Sequence, residues 1–176
     1  GPDEPIDSDL EDLCRRYMEM ANAHWRLWVR GLSIPFEWQE PVIRAAITLK
    51  LCMFEETGAI AAALTTSIPE APNTIRNWDY RYCWLRDAVV VIRALNRVSV
   101  TRTMEQYISF ITDVIDVAQE GAIQPVYGIS READLTETIA EALAGYRGMG
   151  PVRVGNDAYR QVQNDVYGSM VLAAVH

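Results

Sequence analysis

Between Arg76 and Ala88 the chain reads RNWDYRYCWLRDA, which sets Trp78, Tyr80, Tyr82 and Trp84 among Arg76, Asp79, Arg81, Arg86 and Asp87, just ahead of an apolar run ending at Leu95. Flat aromatic faces cover the weakly polar faces of a pyranose ring, while carboxylates and guanidinium forks make charge-assisted hydrogen bonds to its hydroxyls. The mixture therefore suits a carbohydrate ligand. The plainer reading is a helix start whose aromatics pack into a core. The density of charge weighs against it, because each buried charge needs a partner.

Other chemistries are poorly served. The formal net charge is -8 and Lys and Arg form no cluster, whereas phosphate binding needs a concentrated basic surface, so no nucleic-acid partner is expected. His24 and His176 have too few companions to make a metal site, and neither a metal nor another cofactor is expected. Cys14, Cys52 and Cys83 are an odd count and widely spaced. They read as reduced packing residues and point to the cytoplasm. No apolar run approaches the roughly 18 to 20 residues of a membrane span, and no leader pattern opens the chain, so no membrane partner is expected.

The elements that must position the aromatic and charged segment are helical by periodicity. Ser8 with Glu11 suits a capping box opening a helix to about Arg30, through Leu10, Leu13, Tyr17, Ala21, Trp25 and Trp28. A second helix should follow Pro41, with Val42, Ala45, Ala46, Leu49 and Met53 on one face until a stop at Thr57-Gly58. Ala59 to Arg76, rich in Thr, Ser, Pro and Asn, reads as a long irregular loop of the kind that usually carries function. Asp87 or its neighbours start a third helix, and Val89 to Ile92 is apolar all round, as in a helix buried on several sides. Tyr107, Phe110, Ile111, Val114, Ile115 and Ala118 form the clearest stripe, a fourth helix. Gln124 to Gly155 is Gly-rich and broken, more loop or short hairpin than helix, with one turn near Thr138 to Leu143, and Asn156 caps a last helix through Tyr159, Val162, Val166, Met170 and Ala173. About five helices with long connecting loops make an all-α protein.

The signature segment resembles that of glycoside hydrolase family 15, which comprises glucoamylases, glucodextranases and bacterial trehalases. TLKLCMFEETGAIAAALTTSIPE (Thr48 to Glu70), QPVYGI (Gln124 to Ile129), GYRGMGPVRVGN (Gly145 to Asn156) and QVQNDVYG (Gln161 to Gly168) look like further blocks of that family, in its order. The resemblance implies a partial (α/α)6 toroid, with residues 1–176 a fragment of one catalytic domain. Gly1-Pro2 in place of Met reads as a tag scar, so residues 1–7 are expected to be tag remnant and disordered lead-in. An open arc of helices exposes apolar flanks, and self-association through them is expected.

The resemblance also implies an inverting mechanism with two glutamates, a general acid and a water-activating base, held roughly 6.5 to 9.5 Å apart. Both lie beyond the DVYG block in the family, so no catalytic residue is expected in this chain. What carries over is substrate binding. Arg86 and Asp87 would grip outer hydroxyls of a glucose, Tyr80 would lie under the ring, Trp84 would form wall, and Asp79 belongs to the same segment. Arg153 either faces the cleft or staples a loop. Tyr127, Asn156 and Gln163 are weaker candidates, while Arg76 and Arg81 read as loop holders. Arg86 has the alternative of serving only as a structural partner of Asp79 or Asp87. Among the local carboxylates, Glu132 and Glu137 lack apolar surroundings in the sequence and read as solvated surface.

Two departures from the family pattern stand out. Ala71 to Ile75 replaces a glycine pair, and Ser169 stands where a glutamate commonly follows DVYG. The functional expectation is the substrate-binding half of an inverting hydrolase of α-linked glucose, either α-1,4-glucan or trehalose, inactive on its own. Its substrate partner would be an oligosaccharide or disaccharide. The spelling of the signature and of GYRGMGPVRVGN lies closer to the bacterial trehalase-like branch. The alternative is a non-catalytic helical module binding carbohydrate or protein.

Overall fold

A computed structural model describes residues 9–118 and 122–175. Helix α1 spans Leu10–Arg30, capped by Asp9, whose carboxylate accepts the amide of Glu11 at 3.1 Å. The Ser8 cap expected from the sequence lies outside the described residues. Helix α2 (Gln39–Leu51) leads into a two-stranded hairpin, β1 (Met53–Phe54) with β2 (Ala59–Ile60). The second helix thus stops earlier than its periodicity indicates. Met53 turns inward as a strand residue, and Thr57-Gly58 closes the hairpin instead of a helix.

Helix α3 (Leu85–Arg97) is the centre of the fold. It buries Leu85, Ala88, Val89, Ile92 and Leu95, spaced to fall on one face at 3.6 residues per turn. Tyr107, Phe110, Ile111 and Val114 of α4 (Arg102–Val117) and Val166 and Ala173 of α5 (Asp165–Ala174) pack into the same core, with Met53, Ala59 and Ile60 of the hairpin. The expectation of burial on several sides holds only in part, since Val90 is 66% exposed. Burying each large aliphatic or aromatic chain contributes about 1.5 to 3 kcal/mol, so this α3-centred cluster dominates the cohesion of the chain.

Short antiparallel pairs do the rest. Strand β3 (Cys83–Trp84) pairs with β4 (Val126–Tyr127), and β5 (Thr138–Ile139) with β6 (Arg153–Val154). The short hairpin expected in this stretch is thus present, and the turn expected near Thr138 to Leu143 follows β5 directly, the amide of Leu143 donating to the Ala140 carbonyl at 3.0 Å. Asn156 does cap, its Oδ1 accepting the amide of Ala158 at 3.0 Å, but the helix it starts is a single 3₁₀ turn, Asp157–Arg160. The final helix begins afresh at Asp165. The class is all-α, as expected: five α-helices among the described residues, joined by long loops.

Helix α1 has no buried residue, and Tyr17, Met18, Met20 and Leu27 on it are exposed, as are Phe36 and Trp38 beyond it. No described helix is long and apolar enough to cross a membrane. The three cysteines are free thiols, and burial pushes Cys83 up to about 12.

Gly58 has φ +84° in the hairpin turn, and a Cβ there would stand 2.0 Å from the carbonyl oxygen of Gln106 in α4. Gly58→Ala combines left-handed strain with a backbone clash and is expected to cost about 2 kcal/mol or more in urea unfolding. Gly168→Ala, inside α5 with nothing within 4 Å of the added carbon, should instead stabilise by about 0.4 to 1 kcal/mol in the same measurement.

Candidate functional site

The long loop expected before the signature segment is present beyond β2, with no strand or helix from residue 61 to residue 76 except an isolated bridge of Thr66 to Asp79. Residues 61–70 run back along the signature segment, with the amides of Ala62, Ala63 and Ser67 donating to the carbonyls of Tyr82, Tyr80 and Trp78, each at 2.9 Å, and Glu70 to Arg76 at 2.9 Å. These irregularly spaced bonds form a ladder that lays the loop against Trp78, Tyr80 and Tyr82, with Trp78 and Tyr80 lining one cavity and Tyr82 another.

Asp79 lies at the middle of that ladder and is fully buried. Arg81 forks onto it, Nε to Oδ1 at 2.8 Å and Nη2 to Oδ2 at 2.7 Å. The amides of Arg81 and Gly155 donate to the same carboxylate at 3.2 and 3.3 Å, and Asn156 Nδ2 donates to the Asp79 carbonyl at 3.0 Å. Donating these hydrogen bonds to Asp79 raises the pKa of Arg81, against a smaller opposing effect of burial. Enclosed in this way, Asp79 joins its own segment to the stretch after Arg153-Val154.

On one side of the ladder opens a cleft of about 380 Å³, walled by Trp78, Tyr80 and Trp84 and edged by Glu137, Asp157 and Gln163. The rings of Tyr80 and Trp84 lie 5.8 Å apart at 48°, and Arg76 stacks over Trp78 at 5.5 Å while pairing with Glu70 at 3.0 Å. Burial, assisted by Glu70, raises the pKa of the Tyr80 phenol, so the ring stays neutral and electron-rich at ordinary pH. A larger concavity, about 600 Å³, runs along α1, but it is lined by Asp12, Arg15 and Glu19 of one exposed helix and has no aromatic wall.

Arg86 and Asp87 project from the first turn of α3. Arg86 reaches Asp87 and Asp165 at 3.2 Å each and Gln163 at 3.3 Å, so the start of α5 is tied to the start of α3 beside the cleft. Burial alone would lower the pKa of Arg86, and the two carboxylates outweigh it. All three side chains remain about half exposed, 49% in each case, which leaves donors and acceptors open to a ligand.

The structure thus brings Tyr80 and Trp84 into one wall, with Arg86 and Asp87 linked to its edge by Gln163. Arg153 stands behind the cleft, its Nη1 donating to Glu137 Oε1. Asn156 is buried as a cap, and Tyr127 is buried in the core, its hydroxyl accepting the amide of Gln124 at 3.0 Å. Arg86 pairs with Asp87 and not with Asp79, which takes Arg81 instead. Glu137 is the residue that sequence reasoning missed. Its side chain is only 16% exposed and lines an aromatic cleft, so it is not solvated surface. No local pattern marks it, because its surroundings come from Trp78, Tyr80 and Arg153, remote in sequence.

These blocks and this arc of helices define a class. The model of the glycosyl hydrolases family 15 matches residues 39–176, and the chain belongs to that family, its helices forming part of the (α/α)6 toroid. It is similar to the trehalase of Mycolicibacterium smegmatis, 39% identical over 170 residues that cover 95% of this chain and 25% of that protein. The trehalase of Thermoplasma acidophilum is 41% identical over 157 residues, 89% of this chain and 26% of that protein. The trehalase of Mycobacterium tuberculosis is 39% identical over 150 residues, 84% and 22% respectively. The chain therefore spans about a quarter of the length of the curated relatives it matches. No solved structure matches it.

Asp79→Ala would leave the Gly155 amide without its acceptor and Arg81 without its partner. Because Arg81 is partly solvated, the expected loss is about 2 kcal/mol, short of that for a fully buried pair. Denaturant unfolding of the variant against wild type reads it directly.

Proposed function

We propose that this chain supplies the glucose-gripping part of an inverting hydrolase of α-linked glucose, with trehalose as the substrate. The observation that carries the reading is the Arg86 network: a guanidinium shared by Asp87, Asp165 and Gln163 at the edge of a cleft walled by Trp78, Tyr80 and Trp84. A forked cation beside a carboxylate reads a vicinal diol, the guanidinium donating to one hydroxyl oxygen and the carboxylate accepting from its neighbour. The neutral Tyr80 face suits the positive charge that develops on the sugar ring as the glycosidic bond breaks. Trp84 covers an apolar ring face, and Asp79 and Arg153 fix the loops that carry the wall. Trehalose is favoured over α-1,4-glucan because the curated relatives named above are trehalases.

In this reading residues 1–176 are a piece of one catalytic domain and bind without turning over, since the family's acid and base glutamates have no counterpart in the matched blocks. The free thiols suit a reducing compartment, and we place the protein in the cytoplasm. The apolar groove between α4 and α5, lined by Ile108, Ile111, Ile115, Met170 and Val171, and the exposed apolar residues of α1 support self-association of the chain. Light scattering at micromolar concentration should report a dimer or larger species, and a clean monomer would count against it.

In the whole protein, Arg86→Ala should lower kcat/KM for trehalose by two orders of magnitude or more, since a hydrogen bond to a charged group contributes about 1.5 to 3 kcal/mol and more in a transition state. Arg86→Lys should rescue little, because an ammonium cannot reproduce the fork. Near-normal turnover by Arg86→Ala would remove the basis of the assignment.

A further inference from the structure

The cleft carries a second ion pair that the reading above leaves unused. Glu137 precedes β5 and Arg153 opens β6, and their close pairing leaves the two side chains 16% and 21% exposed. The pair is firmly backed. Ser67 Oγ accepts the amide of Arg153 at 2.7 Å, Thr66 Oγ1 donates to the Arg153 carbonyl at 2.6 Å, and Asp157 Oδ1 accepts the amide of Glu137 at 3.2 Å. Among the described residues only Arg153 bonds to the Glu137 carboxylate, through Oε1, so Oε2 keeps its lone pairs while the residue lines the cleft. An ion pair this enclosed contributes little to stability, because desolvation offsets its Coulomb attraction. Beside an aromatic wall it is instead a preorganised acceptor, held in one place without the ligand.

Resting on the function proposed above, we infer that Glu137 determines specificity: it accepts hydroxyl hydrogen bonds from the second glucose of a disaccharide while Arg86 and Asp87 hold the first. The two charged groups reach the site from different segments, Arg86 with Asp165 from the starts of α3 and α5, and Glu137 with Arg153 from the β5–β6 pair. Trp78, Tyr80 and Trp84 line the same cleft, which offers each ring an apolar face. A volume of about 380 Å³ lies within the roughly 300 to 1,000 Å³ of small-molecule sites, enough for sugar rings against the aromatic wall. Arg153 then acts through Glu137, by fixing the direction of its carboxylate.

The test uses the full-length protein and compares trehalose with α-glucosyl fluoride, whose leaving group carries no second sugar. Glu137→Gln should raise KM for trehalose by roughly ten-fold or more and change hydrolysis of the fluoride by less than about three-fold. Glu137→Asp keeps the charge but withdraws the carboxylate by one methylene, and should fall between; it carries the same two-substrate comparison where Glu137→Gln does not fold. Equal losses on both substrates, or an unchanged KM for trehalose, would overturn the inference. Failure of the underlying reading looks different: Arg86→Ala would then turn over both substrates normally, whatever Glu137 does.

Discussion

The buried carboxylate of Asp79 is the constraint on which the site depends. A charge with no access to solvent is tolerable only when every lone pair has a donor, and here the donors come from two separated stretches of chain. Arg81 provides the fork from the same ladder, Gly155 provides an amide from beyond β6, and Asn156 clasps the Asp79 carbonyl. Gly155 can approach because it has φ +90° and no Cβ. A methyl group there would lie 2.3 Å from the Thr136 carbonyl oxygen, so the same glycine also lets the stretch before β5 close in. One ion pair thereby sets the distance between the aromatic wall and the segments that edge it.

The second constraint is how the charged end of the cleft is held. Arg86 and Asp87 are half-exposed, yet the turn that carries them is anchored on its other side. Leu85 is fully buried, its amide donates to the Pro125 carbonyl at 3.1 Å, and its carbonyl accepts the Tyr107 hydroxyl at 3.0 Å. The apolar face of α3 and the half-exposed charged residues are therefore neighbours on one helical turn. Core packing aims Arg86 and Asp87, and Asp165 then ties the start of α5 to the same guanidinium. A change in packing at the first turn of α3 would tilt the fork.

What was legible in the sequence follows from the range of the forces involved. The stripe of α4 and the buried face of α3 are readable because helical periodicity is local, each residue's neighbours lying three or four positions away. The aromatic and charged run was legible for a similar reason, since its composition is itself unusual. The long loop at Ala59 to Arg76 was legible in its Thr, Ser, Pro and Asn, but its hydrogen bonding back along the signature segment was not, because those partners are set by pairing across a turn. The single helix expected from Asn156 onward failed because Gln161 to Asn164 are spent on reaching the cleft edge and the start of α5, and Gln163 is needed there to meet Arg86.

By itself, then, the sequence determined the helical class, the order of the blocks and the residue types available to a sugar, because each of these is written in short spans of chain. Only the tertiary structure decided which of those residues face the cleft. Asp79 and Arg153, candidates for direct contact, are enclosed or stand behind the wall, while Glu137, read as solvated surface, lines it. The physical reason is that burial and ion pairing are properties of distant partners: Asp79 acquires Gly155, and Glu137 acquires Arg153, only when the chain has folded.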